Sequence, residues 1–280
     1  MTAVDPGIGA AAPASTGYRD TVKRLAAAQK TAARGAPAYS RYVNRRLGRL
    51  LAAVALHAGL GPNTVTAVSA VFTFSGIALL MMFPPSGALG IGVALLLVVG
   101  YALDSADGQV ARMQGSGSAA GEWLDHMVDA VKTSALPLAL AVGLYRFGTV
   151  DRRWLLVPLA AAVISAVLFF SMILTEQLRR QRGLVSMAAP GRRSWLRSVL
   201  VVPMDYGVLC LCFAFYGVVP LFLALYTLIV AATAGFLLLA SIKWFREISA
   251  FPPAPGRAGR HSLTEPSAPT GNTTGTGVPQ

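Results

Sequence analysis

Six apolar stretches, near residues 63–82, 88–113, 118–145, 154–178, 199–219 and 221–245, dominate this 280-residue chain. Each is long enough to cross a bilayer at about 20 helical residues per span. The fifth and sixth are divided at Gly217 and Pro220 by a tight turn. Hydrophobic residues make up 54% of the chain and charged ones 13%, where a soluble domain carries about 25% charged residues. That composition excludes a disordered chain and argues against a soluble enzyme. The expected fold is an all-α integral membrane protein, with six transmembrane helices preceded by an amphipathic interfacial helix.

The ends differ from the middle. Residues 1–17 and 248–280 are expected to be disordered tails, the second rich in Pro, Gly, Thr and Ser. The first 17 residues hold neither a basic nor an apolar run, so no cleavable signal is expected. Residues 18–61 form a basic juxtamembrane segment, and 62–247 the membrane domain. From Tyr39 to about Gly59, Tyr42, Val43, Leu47, Leu50, Leu51 and Val54 recur at helical spacing, crowded by Arg41, Arg45, Arg46 and Arg49. That pattern suits a helix lying at an anionic interface. Cys210 and Cys212 sit inside an apolar run and read as small core hydrophobes.

Lys and Arg number 24 against 12 Asp and Glu, a net charge of +12. Nine bases precede the first stretch, six follow the fourth and four follow the sixth. Arg112 and Lys132 fall on that same side, and only Arg146, Arg152 and Arg153 fall opposite. The positive-inside rule then puts both termini in the cytoplasm, in the plasma membrane. The same distribution speaks against a nucleic-acid binder, because the bases cluster at span ends and no nucleic-acid motif accompanies them.

The acids are concentrated. Asp104, Asp107, Glu122, Asp125 and Asp129 fall within 26 residues, at the cytoplasmic ends of the second and third stretches. Ionisable groups at membrane depth are functional by default. Facing only Arg112 and Lys132, they leave a local charge of −3, which asks for a cation. Asp104 and Asp107 are three apart on one helix; Gly121, Asp125 and Asp129 step by four along the next. Two helices joined by so short a hairpin are expected to pack as neighbours, so that the four aspartates converge. Oxygen donors favour Mg²⁺ or Mn²⁺. Four carboxylates can hold two such ions, an arrangement suited to displacement at phosphorus. Gly108, Ala111 and Gly121 are small either for close helix packing or to leave room for a ligand against the backbone.

The run D104-S-A-D107-G108-Q-V-A111-R112, eight residues, then G121-E-W-L-D125-H-M-V-D129 resembles the full signature of the class I CDP-alcohol phosphotransferase (phosphatidyltransferase) family. Eight specified positions at roughly one in fifteen each put chance occurrence well below about one in a million. The resemblance extends to P62-N63-T64-V65-T66 after the interfacial helix, and covers about residues 39–245. It implies a membrane transferase of phospholipid biosynthesis. Such an enzyme moves a phospho-alcohol or phosphatidyl group from a CDP-linked donor to a hydroxyl acceptor and releases CMP. It further implies that Asp104, Asp107, Asp125 and Asp129 hold two divalent ions and that Asp129 is the base. Asn63, Thr66, Gly108, Ala111, Arg112, Ser118 and Gly121 would bind the CDP donor, and the protein would be a homodimer. Arg112 offers a planar fork to phosphate oxygens. Ser118 and Asn63 have a second reading as helix caps.

The acceptor is left open. Glu122 and His126 resemble the choline and ethanolamine phosphotransferase branch. Lys132, seven residues after Asp125, is placed to bind an acceptor phosphate, as in the inositol-phosphate branch, or to pair with Asp129 across one turn. The basic stretch 179–197 and Asp205 are candidates for shaping the acceptor pocket, although topology alone explains the basic stretch. A different class of function, a small cation transporter, would use the same acids. It predicts charges spread through several spans rather than confined to two helix ends.

Overall fold

A computed structural model describes residues 17–28, 37–184 and 205–251. The tails, residues 29–36, most of the basic stretch 179–197 and the first residues of the fifth apolar stretch lie outside the described residues. The described chain is helical, with no strand. Helix α1 spans Tyr18–Ala27, α2 Arg45–His57, α3 Pro62–Met82, α4 Gly87–Gln114, α5 Ala119–Arg146, α6 Leu156–Gln181, α7 Tyr206–Cys212 and α8 Val219–Ser249. A π-helical turn, Ser40–Asn44, leads into α2. A 3₁₀ turn, Arg152–Leu155, leads into α6, and another, Phe213–Phe215, follows α7.

Five of these helices are long and apolar enough to cross a membrane: α3, α4, α5, α6 with its leading turn, and α8. The protein is an all-α membrane protein. The fifth apolar stretch contributes, among the described residues, a shorter apolar helix, Tyr206–Phe215.

Local chemistry sets the helix ends that carry the acids. Pro62 opens α3, where an amide hydrogen has no partner to lose. Ser118 accepts from the Gly121 amide at 3.1 Å and caps α5. Gly115 closes α4 at φ 62°, a left-handed conformation that glycine adopts without steric cost. The reversal between α4 and α5 is therefore only a few residues long.

The core lies among α3, α4, α5, α7 and α8, built on Leu97, Leu140, Leu144, Phe213, Tyr216 and Phe222. A second cluster joins α1, α2, α3 and α4 through Leu25, Ala52, Ala53, Val65, Ala106 and Val110. Cys210 and Cys212 are buried free thiols, as small core residues should be. Helix α2 buries its small residues, Gly48, Ala52 and Ala55, and leaves Leu50 and Val54 exposed, as the π turn before it leaves Tyr42 and Val43. A Cβ at Gly48 would meet Ser105 Oγ at 2.8 Å, so α2 seats directly on α4.

One expectation fails. Helices α4 and α5 scarcely approach each other; α3 packs closely against both. The pair is splayed from its tight turn, with α3 as the backing. Lys132 of α5 reaches across to Asp104 of α4.

Candidate active site

Asp104 and Asp107 project from the last turns of α4, and Asp125 and Asp129 from the first turns of α5. Asp104 and Asp125 lie within electrostatic reach of each other and of both Asp107 and Asp129 across the cleft. Asp107 is the most enclosed, at 6% exposure. Thr66 Oγ1, from the first turns of α3, lies 2.6 Å from its Oδ2.

Lys132 stands at the centre of the group. Its Nζ lies 2.8 Å from Asp104 Oδ1 and also pairs with Asp129. Only 5% of the residue is exposed, and the ammonium sits 5.7 Å from the centroid of the Tyr206 ring. Tyr206 meets Tyr101 edge-on at 5.0 Å, and Tyr101 stacks on Tyr39 at 6.5 Å. The tyrosines give the sequence little to flag. The available signal is that Tyr101 stands three residues before Asp104, on the same helix face.

The residues expected to bind the donor, the buried Thr66 apart, lie near the rim of the cleft, on the first turns of α3 and α5 and the last turns of α4. A Cβ added at Gly108 would meet only Arg112 Nη1, at 3.3 Å, on its own helix. A Cβ at Gly121 would meet Asn63 Oδ1 at 3.1 Å and Ser118 Oγ at 3.2 Å. Gly108 meets no neighbouring helix, so close helix packing does not account for it, whereas Gly121 lies against Asn63 of α3. Asn63 is not a cap: the residue before α3 is Gly61, with no side-chain cap. Ser118 is one. Arg112 is exposed and Ala111 half-buried, both on the last turn of α4. Arg112 lies within electrostatic reach of Asp107 and of Arg45 on α2, which brings a second base toward the same rim.

Glu122 and His126 turn toward α6. Glu122 accepts from Arg180 at 2.6 Å, and His126 Nε2 lies 3.8 Å from Glu122. The His126 ring meets Phe169 edge-on at 6.3 Å. They line an open groove of about 630 Å³ between α5 and α6, with Trp123, Met127, Phe170 and Ile173 as apolar walls. Asp205 caps α7 and accepts from the Ser40 amide at 2.8 Å, which ties the π turn to α7.

The donor chemistry fits a divalent ion. Hard carboxylate oxygens lie on both helices, and Lys132 pairs with one from each, Asp104 and Asp129. Asp125, His126 and Asp129 can each offer one ligand atom, all within 4.8 Å of one another.

The CDP-alcohol phosphatidyltransferase family model matches residues 60–240, which contain α3 to α7 and most of α8. No curated protein matches the chain. With a match over more than half its length, and the acids of the motif gathered in one cleft, the chain belongs to the CDP-alcohol phosphatidyltransferase family.

Proposed function

We propose that this membrane transferase moves a phospho-alcohol or phosphatidyl group from a CDP-linked donor to a hydroxyl acceptor and releases CMP, in phospholipid biosynthesis. The observation that carries this reading is the convergence of Asp104, Asp107, Asp125 and Asp129 on one cleft, beside Thr66, in a chain of this family. The four aspartates would hold two Mg²⁺ or Mn²⁺ ions. When bound, these supply charge neutralisation on the diphosphate and make CMP a better leaving group.

The protein's own residues do the rest. Asn63, Gly108, Ala111, Ser118 and Gly121 form the rim that receives the CDP half, with Thr66 beneath it on Asp107, and Arg112 presents its guanidinium to the phosphate oxygens. Asp129 takes the proton of the acceptor hydroxyl as that oxygen bonds to the phosphorus bearing the alcohol. The bond from that phosphorus to the bridging oxygen breaks, and CMP leaves with the oxygen. Glu122 and His126 belong to the acceptor side, and their groove suits an amphiphilic acceptor. Charge asymmetry supports cytoplasmic termini in the plasma membrane. A homodimer rests on the family resemblance.

The test is CMP release by the purified protein, offered a panel of CDP-linked donors and alcohols with Mg²⁺, Mn²⁺ or EDTA. Release that needs a donor, an acceptor and a divalent ion is expected. Release indifferent to EDTA would remove the ions from the reading. Ion flux in proteoliposomes with no nucleotide requirement would replace the reading with transport.

A further inference from the structure

We infer that Lys132 is a built-in place-holder cation: its ammonium occupies the bridging position between the two helices' carboxylates and gives way, at least in part, when divalent ions enter. The inference rests on the proposed metal binding and adds what the metal-free protein does instead. Lys132 reaches one acid from each acid-bearing helix, Asp104 on α4 and Asp129 on α5, two of the residues that would hold the ions. The residue is buried, and its third neighbour is the face of Tyr206 on α7. Four carboxylates in a half-buried cleft repel strongly at low effective dielectric. The short turn and α3 hold the two helix ends near each other, and Lys132 is the cation that bridges their acids across the cleft. Withdrawal from a carboxylate leaves the ammonium over an aromatic face, a favourable site for a cation. Lys132 is thus a positioning residue: it keeps the acids in place without metal and opposes the first ion by charge.

The test is thermal unfolding and Mn²⁺ titration of the detergent-purified protein as wild type, Lys132→Met and Lys132→Arg. Lys132→Met is purified with Mn²⁺ present and then stripped with EDTA. The expected result is a lower Tm for Lys132→Met than for wild type in EDTA, with a Mn²⁺-induced rise at least twice the wild-type rise. Its Mn²⁺ affinity is expected to be at least tenfold tighter. Lys132→Arg keeps the charge and is expected to behave as wild type. An equal or smaller Mn²⁺ response in Lys132→Met overturns the place-holder role, as does a raised response in Lys132→Arg, which would point to packing rather than charge. Wild-type protein that binds no Mn²⁺ overturns the metal reading itself, and the inference with it.

Discussion

Thr66, in the second turn of α3, holds its hydroxyl 2.6 Å from Oδ2 of the buried Asp107 on α4. A hydrogen bond to a charged group contributes about 1.5–3 kcal/mol, and losing it leaves a buried carboxylate oxygen short of a donor. Thr66→Val is therefore expected to weaken Mn²⁺ binding and CMP release by about ten- to a hundredfold. Thr66→Ser, which keeps the hydroxyl, is expected to stay within a few-fold of wild type. Steady-state CMP release alongside Mn²⁺ titration checks both.

Asp129→Asn removes the proposed base and keeps the shape. General-base catalysis contributes about 10²–10⁴-fold, so turnover is expected to fall by at least about a hundredfold. Circular dichroism should show the helices unchanged. Full turnover in this variant would remove Asp129 as the base.

Gly121 faces Asn63 Oδ1 and Ser118 Oγ, each at little more than 3 Å from an added Cβ. Gly121→Ala is expected to push Asn63 off the rim and raise KM for the CDP-linked donor. The Mn²⁺ affinity should hold, because the aspartates are untouched. Donor saturation curves with Mn²⁺ titration separate the two effects.

Gly143, on α5, touches the backbone carbonyl of Leu80 on α3, and a Cβ there would overlap it. Neither backbone can yield without shifting a helix. Gly143→Ala should cost about 1–3 kcal/mol of stability through overpacking, seen as a lower Tm. Loss of activity at permissive temperature is not expected, since the site lies at the other end of α5.

Arg179 on α6 donates two hydrogen bonds to Glu247 on α8, both at 2.7 Å. Fork-to-fork pairing is the stronger form of ion pair, although partial exposure limits it to about 1 kcal/mol. Arg179→Met should lower Tm modestly at low salt, and the difference should shrink in high salt as screening grows.

Most helix boundaries could be read in advance because their signals are local. Pro62, Ser118 and Gly115 mark starts and stops, and the apolar stretch 63–82 returns as Pro62–Met82. The spacing put the acids on one stripe of each helix, and the expected close packing of those two helices was not needed to bring them near one cleft. Two features could not be read from spacing, because they depend on contacts distant in sequence. The splay of α4 and α5 follows from α3 lying against both. The position of Lys132 follows from Asp104, 28 residues away, and from the Tyr206 ring. Spacing could show only its pairing with Asp129. In the interfacial segment the large apolar residues Tyr42, Val43, Leu50 and Val54 stay exposed, as an interfacial face requires, while the contact of Gly48 and the alanines with the bundle depends on residues distant in sequence.

That contact has a mechanical meaning. Gly48 rests on Ser105, the residue after Asp104, so α2 and the acidic end of α4 move as one body. The exposed Tyr42, Val43, Leu50 and Val54, with the arginines between them, form a float at the lipid surface. On the proposed reading, its draught sets the depth of the aspartates, and so the plane at which the donor's diphosphate meets the acceptor hydroxyl.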